Sequence, residues 1–397
     1  MKNVILLTID TLRKDVLGCY GGESFTPFID SIQDNCIRFN KAYSPGPYTQ
    51  AAFPGILTSS YYLEYGRQKM LSERRVLISE VVKKGGIATA GFHSNPYIST
   101  YFGWNRGWDV FYDSMEEEVN DKVPYIKADV LNKKVHDWLK SCQDKPFFLW
   151  VHYMDVHEPY VPEWKYIEIV DPSIQIDEEE MFRLFRDVVL KRDVSDKEVV
   201  ELLKKLYCAH VREIDDGVKE FFGILEKDNL LKESVIIITS DHGDEFGEHG
   251  GLSHDGKMYS ELVNVPLFIY EPSREKTEVC DILVSGLDVP PTIVYLFGLD
   301  SVDAFEGHPL IPLEDYPTRG AFGEAVDKHG SREKGEEKEV HYYLEGDLKI
   351  IYCETDDSWE LYDLKADPKE VNNIIEISSV AETMKQKVRR RVRRYQA

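Results

Sequence analysis

The chain has 397 residues, 42% of them hydrophobic, with 48 Lys and Arg against 71 Asp and Glu for a formal net charge of −23. That length and apolar content exclude global disorder and suit one large α/β domain with a smaller appendage. The acidic balance speaks against nucleic acid as a partner, because such binding needs a basic surface. A small anionic ester stays admissible, since a bound cation inverts the local field.

Short β-branched or aliphatic runs recur, each ending where polar residues begin: 3–10 (NVILLTID), 88–95 (ATAGFHSN), 147–155 (FFLWVHYMD), 235–241 (VIIITSD) and 265–270 (VPLFIY). Runs of this kind fit strands buried on both faces. Helical spacing marks roughly 124–141 and 197–228, the latter through Val200, Leu203, Leu206, Val211, Ile214, Val218, Phe221 and Leu225. Alternating strand and helix predicts a doubly wound, mostly parallel α/β sheet flanked by helices, with its site beyond the carboxyl ends of the strands.

Residues 163–200 read as an acidic insertion or lid over that site. Residues 271–345 read as loops and charge runs such as SREKGEEKE (331–339), a solvated excursion. The segment 342–353 predicts a hairpin turning at EGD, and hence a small C-terminal β-containing subdomain. The expected division is a catalytic domain over 1–300 and a subdomain over 301–397. The tail KQKVRRRVRRYQA is basic, but Val380, Met384, Val388 and Val392 recur every fourth residue, which favours a terminal helix docked on the acidic body over a nucleic-acid or membrane arm.

The six cysteines are scattered without a CxxC pair, the apolar run near the start is too short for a secretory signal, and no stretch approaches a membrane span. A cytoplasmic location is expected.

Three strand ends carry unusual chemistry: Asp10; Asp241-His242 within TSDHGDEFGEHG; and His152, Asp155 and His157 within WVHYMDVHEPY. Carboxylates with imidazoles suit a hard or borderline divalent cation. Any one alone serves equally well as a helix cap or solvated loop residue; three at the mouth of one sheet point to a metal site.

The ordered segments NVILLTIDTLRKDVLGCYG, FNKAYSPGPYTQAAFPGILTS, WVHYMDVHEPYVP, TSDHGDEFGEHGGLSHDGK, VSGLDVPPTIVYLFGL and WELYDLKADPKEVNNI resemble the sulfatase family of the alkaline phosphatase superfamily over most of residues 3–375. The resemblance implies an alkaline phosphatase-like fold and a metal-dependent ester hydrolase. It places Asp10, Asp241, His242 and the nucleophile on metal-ligand positions. The first motif has Thr11 where the family often has a second acid. Histidine at 242, as in phosphatase-like relatives, favours Mn or Zn over Ca or Mg.

The nucleophile segment departs from the family pattern. Counting back from Leu57-Thr58, the nucleophile position falls on Thr49; the residues two and four further on are Ala51 and Phe53, so the arginine of C/S-x-P/A-x-R is absent. Ser44, followed by Gly46 and Tyr48, fits no better. Formylglycine is therefore not expected, and the resemblance implies a metal-bound Thr49 acting directly on phosphate esters or phosphonates. His157 and His254 would bind nonbridging oxygens or protonate the leaving group, and Arg13 and Lys257 are further candidate substrate cations. An N-cap is the ordinary alternative for Thr49. His152 is expected to face the sheet interior, His249 to be a loop or substrate residue, and Tyr48 to shape a leaving-group pocket or to pack. Asp155 and His157 could complete a second metal site with His254, although one metal is favoured. A sulfate-ester hydrolase, a phosphoglycerol-type transferase and a noncatalytic binding protein on the same fold are the alternative functions.

Overall fold

A computed structural model describes residues 2–23, 25–65, 70–114, 123–142, 145–326 and 338–394. The strands are β1 (Asn3–Ile9), β2 (Cys36–Tyr43), β3 (Ala88–His93), β4 (Val110–Asp113), β5 (Phe147–Tyr153), β6 (Ser234–Thr239), β7 (Glu245–Phe246) and β8 (Leu252–Ser253). They continue with β9 (Leu267–Tyr270), β10 (Glu278–Ser285), β11 (Ala321–Val326), β12 (Glu339–Glu345), β13 (Leu348–Cys353) and β14 (Ser358–Asp363). The helices are α1 (Pro27–Ser31), α2 (Thr49–Thr58), α3 (Ile78–Lys84), α4 (Ala128–Ser141), α5 (Trp164–Val170), α6 (Glu178–Leu184), α7 (Lys197–Lys227), α8 (Ser260–Val263), α9 (Val289–Leu296) and α10 (Ala381–Arg394).

The main sheet runs β10-β2-β9-β6-β1-β5-β3-β4. It is parallel except for β9, which lies antiparallel to both β2 and β6. The alternation of β1 shows how it is packed. Ile5, Leu7 and Ile9 join the core beneath α7, while Val4 and Leu6 join the core under α2, α3 and α9. Both faces are apolar because both are covered. Asp196 caps the 31-residue α7 by accepting from the Glu198 and Val199 amides, and the predicted apolar stripe of this helix is buried along the sheet.

The stretch 271–345 is not simply a solvated excursion. It contributes β10, paired in parallel with β2 at the sheet edge, and α9 on one face. The charge run 331–339 lies almost wholly outside the described residues. The predicted hairpin is β12–β13, closing where Glu345 pairs with Leu348, with Gly346 at φ 63°. It is the centre of a second, antiparallel sheet β11-β12-β13-β14. This sheet braces the segment before α2: Tyr342 Oη donates to the Ser44 carbonyl at 2.7 Å, and the Glu324 amide donates to the Pro45 carbonyl at 2.9 Å. The basic terminal helix docks on the same sheet through Ala381, Met384 and Val388, with Lys387 paired to Glu345 and Arg391 to Glu306. Among the described residues, no helix is long and apolar enough to cross a membrane.

Candidate active site at the strand ends

Register explains why distant motifs meet. On β1, Thr8 lies level with His152 of β5 and with Thr239 of β6. Parallel pairing therefore brings the carboxyl ends of these three strands to one height, and Asp10 and Asp241 leave them side by side. Side chains alternate, so Asp10 shares the face of Thr8, the side on which α2 packs.

Asp10, Asp241 and His242 are fully buried. His242 Nε2 lies 3.3 Å from Asp241 Oδ2 and 3.6 Å from Asp10 Oδ1, while its Nδ1 donates to the Gly243 carbonyl at 3.0 Å. Thr49 is the first residue of α2; Tyr48 is the N-cap, so the capping alternative for Thr49 falls away. The Thr49 hydroxyl points into the cluster instead, with Oγ1 3.5 Å from Asp10 Oδ2 and 3.4 Å from His242 Nε2.

Two residues complete the cluster: His152, which the sequence set at a strand end facing the interior, and Asn95, which it did not single out. His152 does not merely face the interior, for its Nε2 is 3.2 Å from Asp10 Oδ2. Thr8 Oγ1 accepts from Trp150 Nε1 at 3.0 Å and lies 2.9 Å from His152 Nδ1 and 3.4 Å from the Val151 carbonyl. Because the Asp10 carboxylate can only accept, the contact from Nε2 is a donated hydrogen bond, a carboxylate-orienting role. Asn95, just beyond β3, donates through Nδ2 to Asp10 Oδ2 at 2.8 Å and to Thr49 Oγ1 at 3.3 Å. Strand parity was the available signal, since His152 and Asn95 fall on the face of Asp10 once β1, β5 and β3 are known neighbours.

The donor set fits a divalent cation. Asp10 and Asp241 offer carboxylate oxygens within one cluster, and His242 Nε2, whose ring proton is spent on Gly243 through Nδ1, lies 3.6 and 3.3 Å from them. Asp10 Oδ1 and Asp241 Oδ2 are buried without a hydrogen-bond donor. Burial and then the Asp10 charge push the Asp241 carboxyl well up. Burial acts on Asp10 in the same direction, but the His152 hydrogen bond and the His157 and His242 charges hold it well below the usual range. Two adjacent buried carboxylates with oxygens left over are a site that a cation relieves.

The other predicted residues divide. His157 and His254 face each other, ring centroids 5.1 Å apart, and His254 lies 4.5 Å from the His242 ring. Burial lowers both histidines. For His157 the Asp10, Glu158 and Asp244 charges outweigh it and raise the pKa, whereas His242 and His157 lower His254 further.

Arg13 is a correction to the substrate-cation reading. Its buried guanidinium is taken up by Asp15 at 2.7 Å, Glu248 at 2.8 Å and the Asp244 carbonyl at 2.8 Å. Lys257 is likewise engaged, by Glu245 at 2.9 Å and the His249 carbonyl at 2.9 Å. Asp155 turns aside to cap α4 at the Ala128 amide, 3.0 Å, and does not extend the cluster toward a second metal. His249 stacks on Tyr259 and pairs with Glu261 at 2.6 Å, and the Tyr48 hydroxyl bonds both backbone groups of Val326.

The family model described as Sulfatase matches residues 2–299, three quarters of the chain. The chain belongs to the sulfatase family. Residues 247–397 match a second sulfatase-related model, that of the N-sulphoglucosamine sulphohydrolase C-terminal region. An arylsulfatase of Clostridium perfringens is 22% identical over 437 aligned residues, spanning 94% of this chain and 90% of the relative. The phosphonate monoester hydrolase of Agrobacterium radiobacter has the same fold at TM-score 0.80 and 19% identity, covering 99% of this chain and 95% of that one. A protein in complex with its substrate D-glucosamine-2-N,6-O-disulfate superposes at TM-score 0.81 and 20% identity, covering 100% and 98%. An arylsulfatase thus stands among the relatives and a phosphonate monoester hydrolase shares the fold; this chain is a hydrolase of the sulfatase family.

Proposed function

We propose that the protein hydrolyses phosphate esters or phosphonates through Thr49 as an unmodified nucleophile. The observation that carries this reading is the Thr49 hydroxyl, within 3.5 Å of Asp10 and 3.4 Å of His242, at the first turn of a buried helix. A threonine cannot mature to formylglycine, so its alcohol must act as it stands.

A divalent cation, Mn or Zn by the donor chemistry, held by Asp10, Asp241 and His242 beside Thr49, would lower the pKa of the hydroxyl and offset charge on the substrate's nonbridging oxygens. Asn95 and Asp10 orient Thr49 Oγ1, and Asp10 Oδ2 lies where the hydroxyl proton leaves. As the bond from Oγ1 to phosphorus forms, the bond to the leaving oxygen breaks, and His157 or His254 supplies the proton that this oxygen needs. Water then cleaves the threonine ester and restores the hydroxyl. The catalytic apparatus falls within 1–300, with 301–397 as a bracing subdomain.

A second reading, sulfate-ester hydrolysis by the same residues, is favoured by the match of residues 247–397 to a sulphohydrolase region. The test is turnover of 4-nitrophenyl phosphate, bis-4-nitrophenyl phosphate, a phenylphosphonate ester and 4-nitrophenyl sulfate under titration with Mn or Zn. Fastest turnover of a phosphorus ester, abolished in Thr49→Ala, is expected. Fastest turnover of the sulfate would select the second reading, and full activity of Thr49→Ala would remove the nucleophile assignment.

A further inference from the structure

The ring of His254 is gripped by a buried carboxylate to which the mechanism above gives no part. Asp244, fully buried between β6 and β7, places Oδ1 2.7 Å from His254 Nδ1. Its other oxygen accepts from the Tyr160 hydroxyl at 2.6 Å. Tyr160 follows His157 by three residues and is itself buried, packed on Tyr207 and Phe246, so one carboxylate ties the loop of one site histidine to the ring of the other. The carbonyl of Asp244 is fixed in turn by Arg13. The His254 backbone is held separately. Arg192, from the acidic insertion, donates to the carbonyls of Leu252 and His254 and lies 3.4 Å from Asp255. Ser253 Oγ approaches the same ring nitrogen at a longer 3.3 Å.

We propose that Asp244, braced by Tyr160, is the positioning residue that engages His254 Nδ1 and so presents Nε2 to the reacting ester. This rests on the reading of Thr49 and His254 given above. With Nδ1 committed to Asp244, Nε2 is the nitrogen left to face the side shared by His242 and His157. In the imidazolium form, whose Nδ1–H the Asp244 carboxylate holds, Nε2–H passes to the leaving oxygen as the bond from that oxygen to phosphorus or sulfur breaks, leaving a neutral ring. It takes a proton back from the water that cleaves the Thr49 ester. Asp244 exchanges no proton with substrate; it sets the tautomer and orientation of the group that does.

A double-mutant cycle separates this role from a structural one. Asp244→Ala, His254→Ala, the double variant and Asp244→Asn are assayed on the 4-nitrophenyl and phenyl esters of whichever acid the wild type turns over fastest. Loss of a leaving-group acid costs most when the leaving group is poor. His254→Ala should therefore lower kcat on the phenyl ester by about 10²-fold and far less on the 4-nitrophenyl ester. Asp244→Ala should reproduce that pattern, and the double variant should be no worse than His254→Ala alone, because residues acting as a unit are not additive. Asp244→Asn keeps the size but loses the charge and lets an amide N–H face Nδ1, so it should stay impaired with the same leaving-group bias. Additive losses, or a loss equal on both esters, would overturn the assignment. If Asp244→Ala fails to fold, Tyr160→Phe removes only the bracing hydroxyl and should show the same leaving-group bias at smaller amplitude; an unbiased loss or none overturns it. Thr49→Ala is run alongside. Activity there would sink the nucleophile reading while leaving the cycle interpretable.

Discussion

Replacing Asn95 by Ala removes the one side-chain amide that bridges Asp10 Oδ2, at 2.8 Å, and Thr49 Oγ1, at 3.3 Å. A hydrogen bond to a charged group contributes about 1.5–3 kcal/mol, more than the neutral contact to the hydroxyl. Taken as lost transition-state stabilisation, that is a fall of roughly ten- to 150-fold in kcat/KM. Asn95 Oδ1 also accepts from the Tyr97 amide at 2.9 Å, a cap on a short helical turn. Losing a cap costs about 1 kcal/mol, which in a chain of this size lowers the melting temperature by only about 2 °C. Initial rates with 4-nitrophenyl esters, together with thermal melts and metal content by mass spectrometry, separate the two effects. A large rate loss with a small melting shift and retained metal is expected. An unchanged kcat/KM would refute the view that Asn95 orients the nucleophile and its carboxylate. So would a rate loss tracking metal loss alone.

Two further outcomes concern stability. Lys349 and Glu370 form a fully buried pair at 2.8 Å, and Glu370 also accepts from the Ser260 amide at 2.6 Å. Lys349→Met should destabilise by about 3–5 kcal/mol in denaturant melts, whereas Lys349→Met with Glu370→Gln should cost clearly less; equal losses would show that the charge pairing is unimportant. Burial pushes the Asp155 carboxyl up to about 7, against the lowering effect of its bond from the Ala128 amide. A carboxyl whose folded pKa exceeds its unfolded one costs stability as pH rises past the unfolded value, and that cost stops growing above about pH 7. Asp155→Asn should therefore gain on the wild type between pH 5 and pH 8 in thermal melts. A gap that narrows over that range would contradict the assigned shift.

Much of the body was legible because parallel strands buried on both faces write continuous apolar runs, as in NVILLTI and FFLWVHY, and because α7 carries an unbroken stripe. What stayed hidden lacked such a signature. β10 reads EVCDILVS, with Glu278, Val279 and Asp281 exposed at the sheet edge, and β9 runs against its neighbours without any change in its apolar character. In the site, Asp10, Asp241, His242 and Thr49 were readable from motif order. Asn95 and the part played by His152, noticed only as a strand-end residue facing the interior, were not, because they depend on which strands are adjacent and at what register. Arg13 misled for a related reason. A basic residue near a strand end suggests an anion contact, while Asp15 and Glu248, which take it up, come from two and 235 residues away.

The central claim is that Thr49 carries the transferred group. Acid-quenching the enzyme during turnover and mapping its peptides by mass spectrometry tests it directly. The account predicts a phosphoryl-type adduct on Thr49 that is absent from Thr49→Ala and from protein quenched without substrate. An adduct on another residue, or full turnover by Thr49→Ala with no adduct in the wild type, would contradict it.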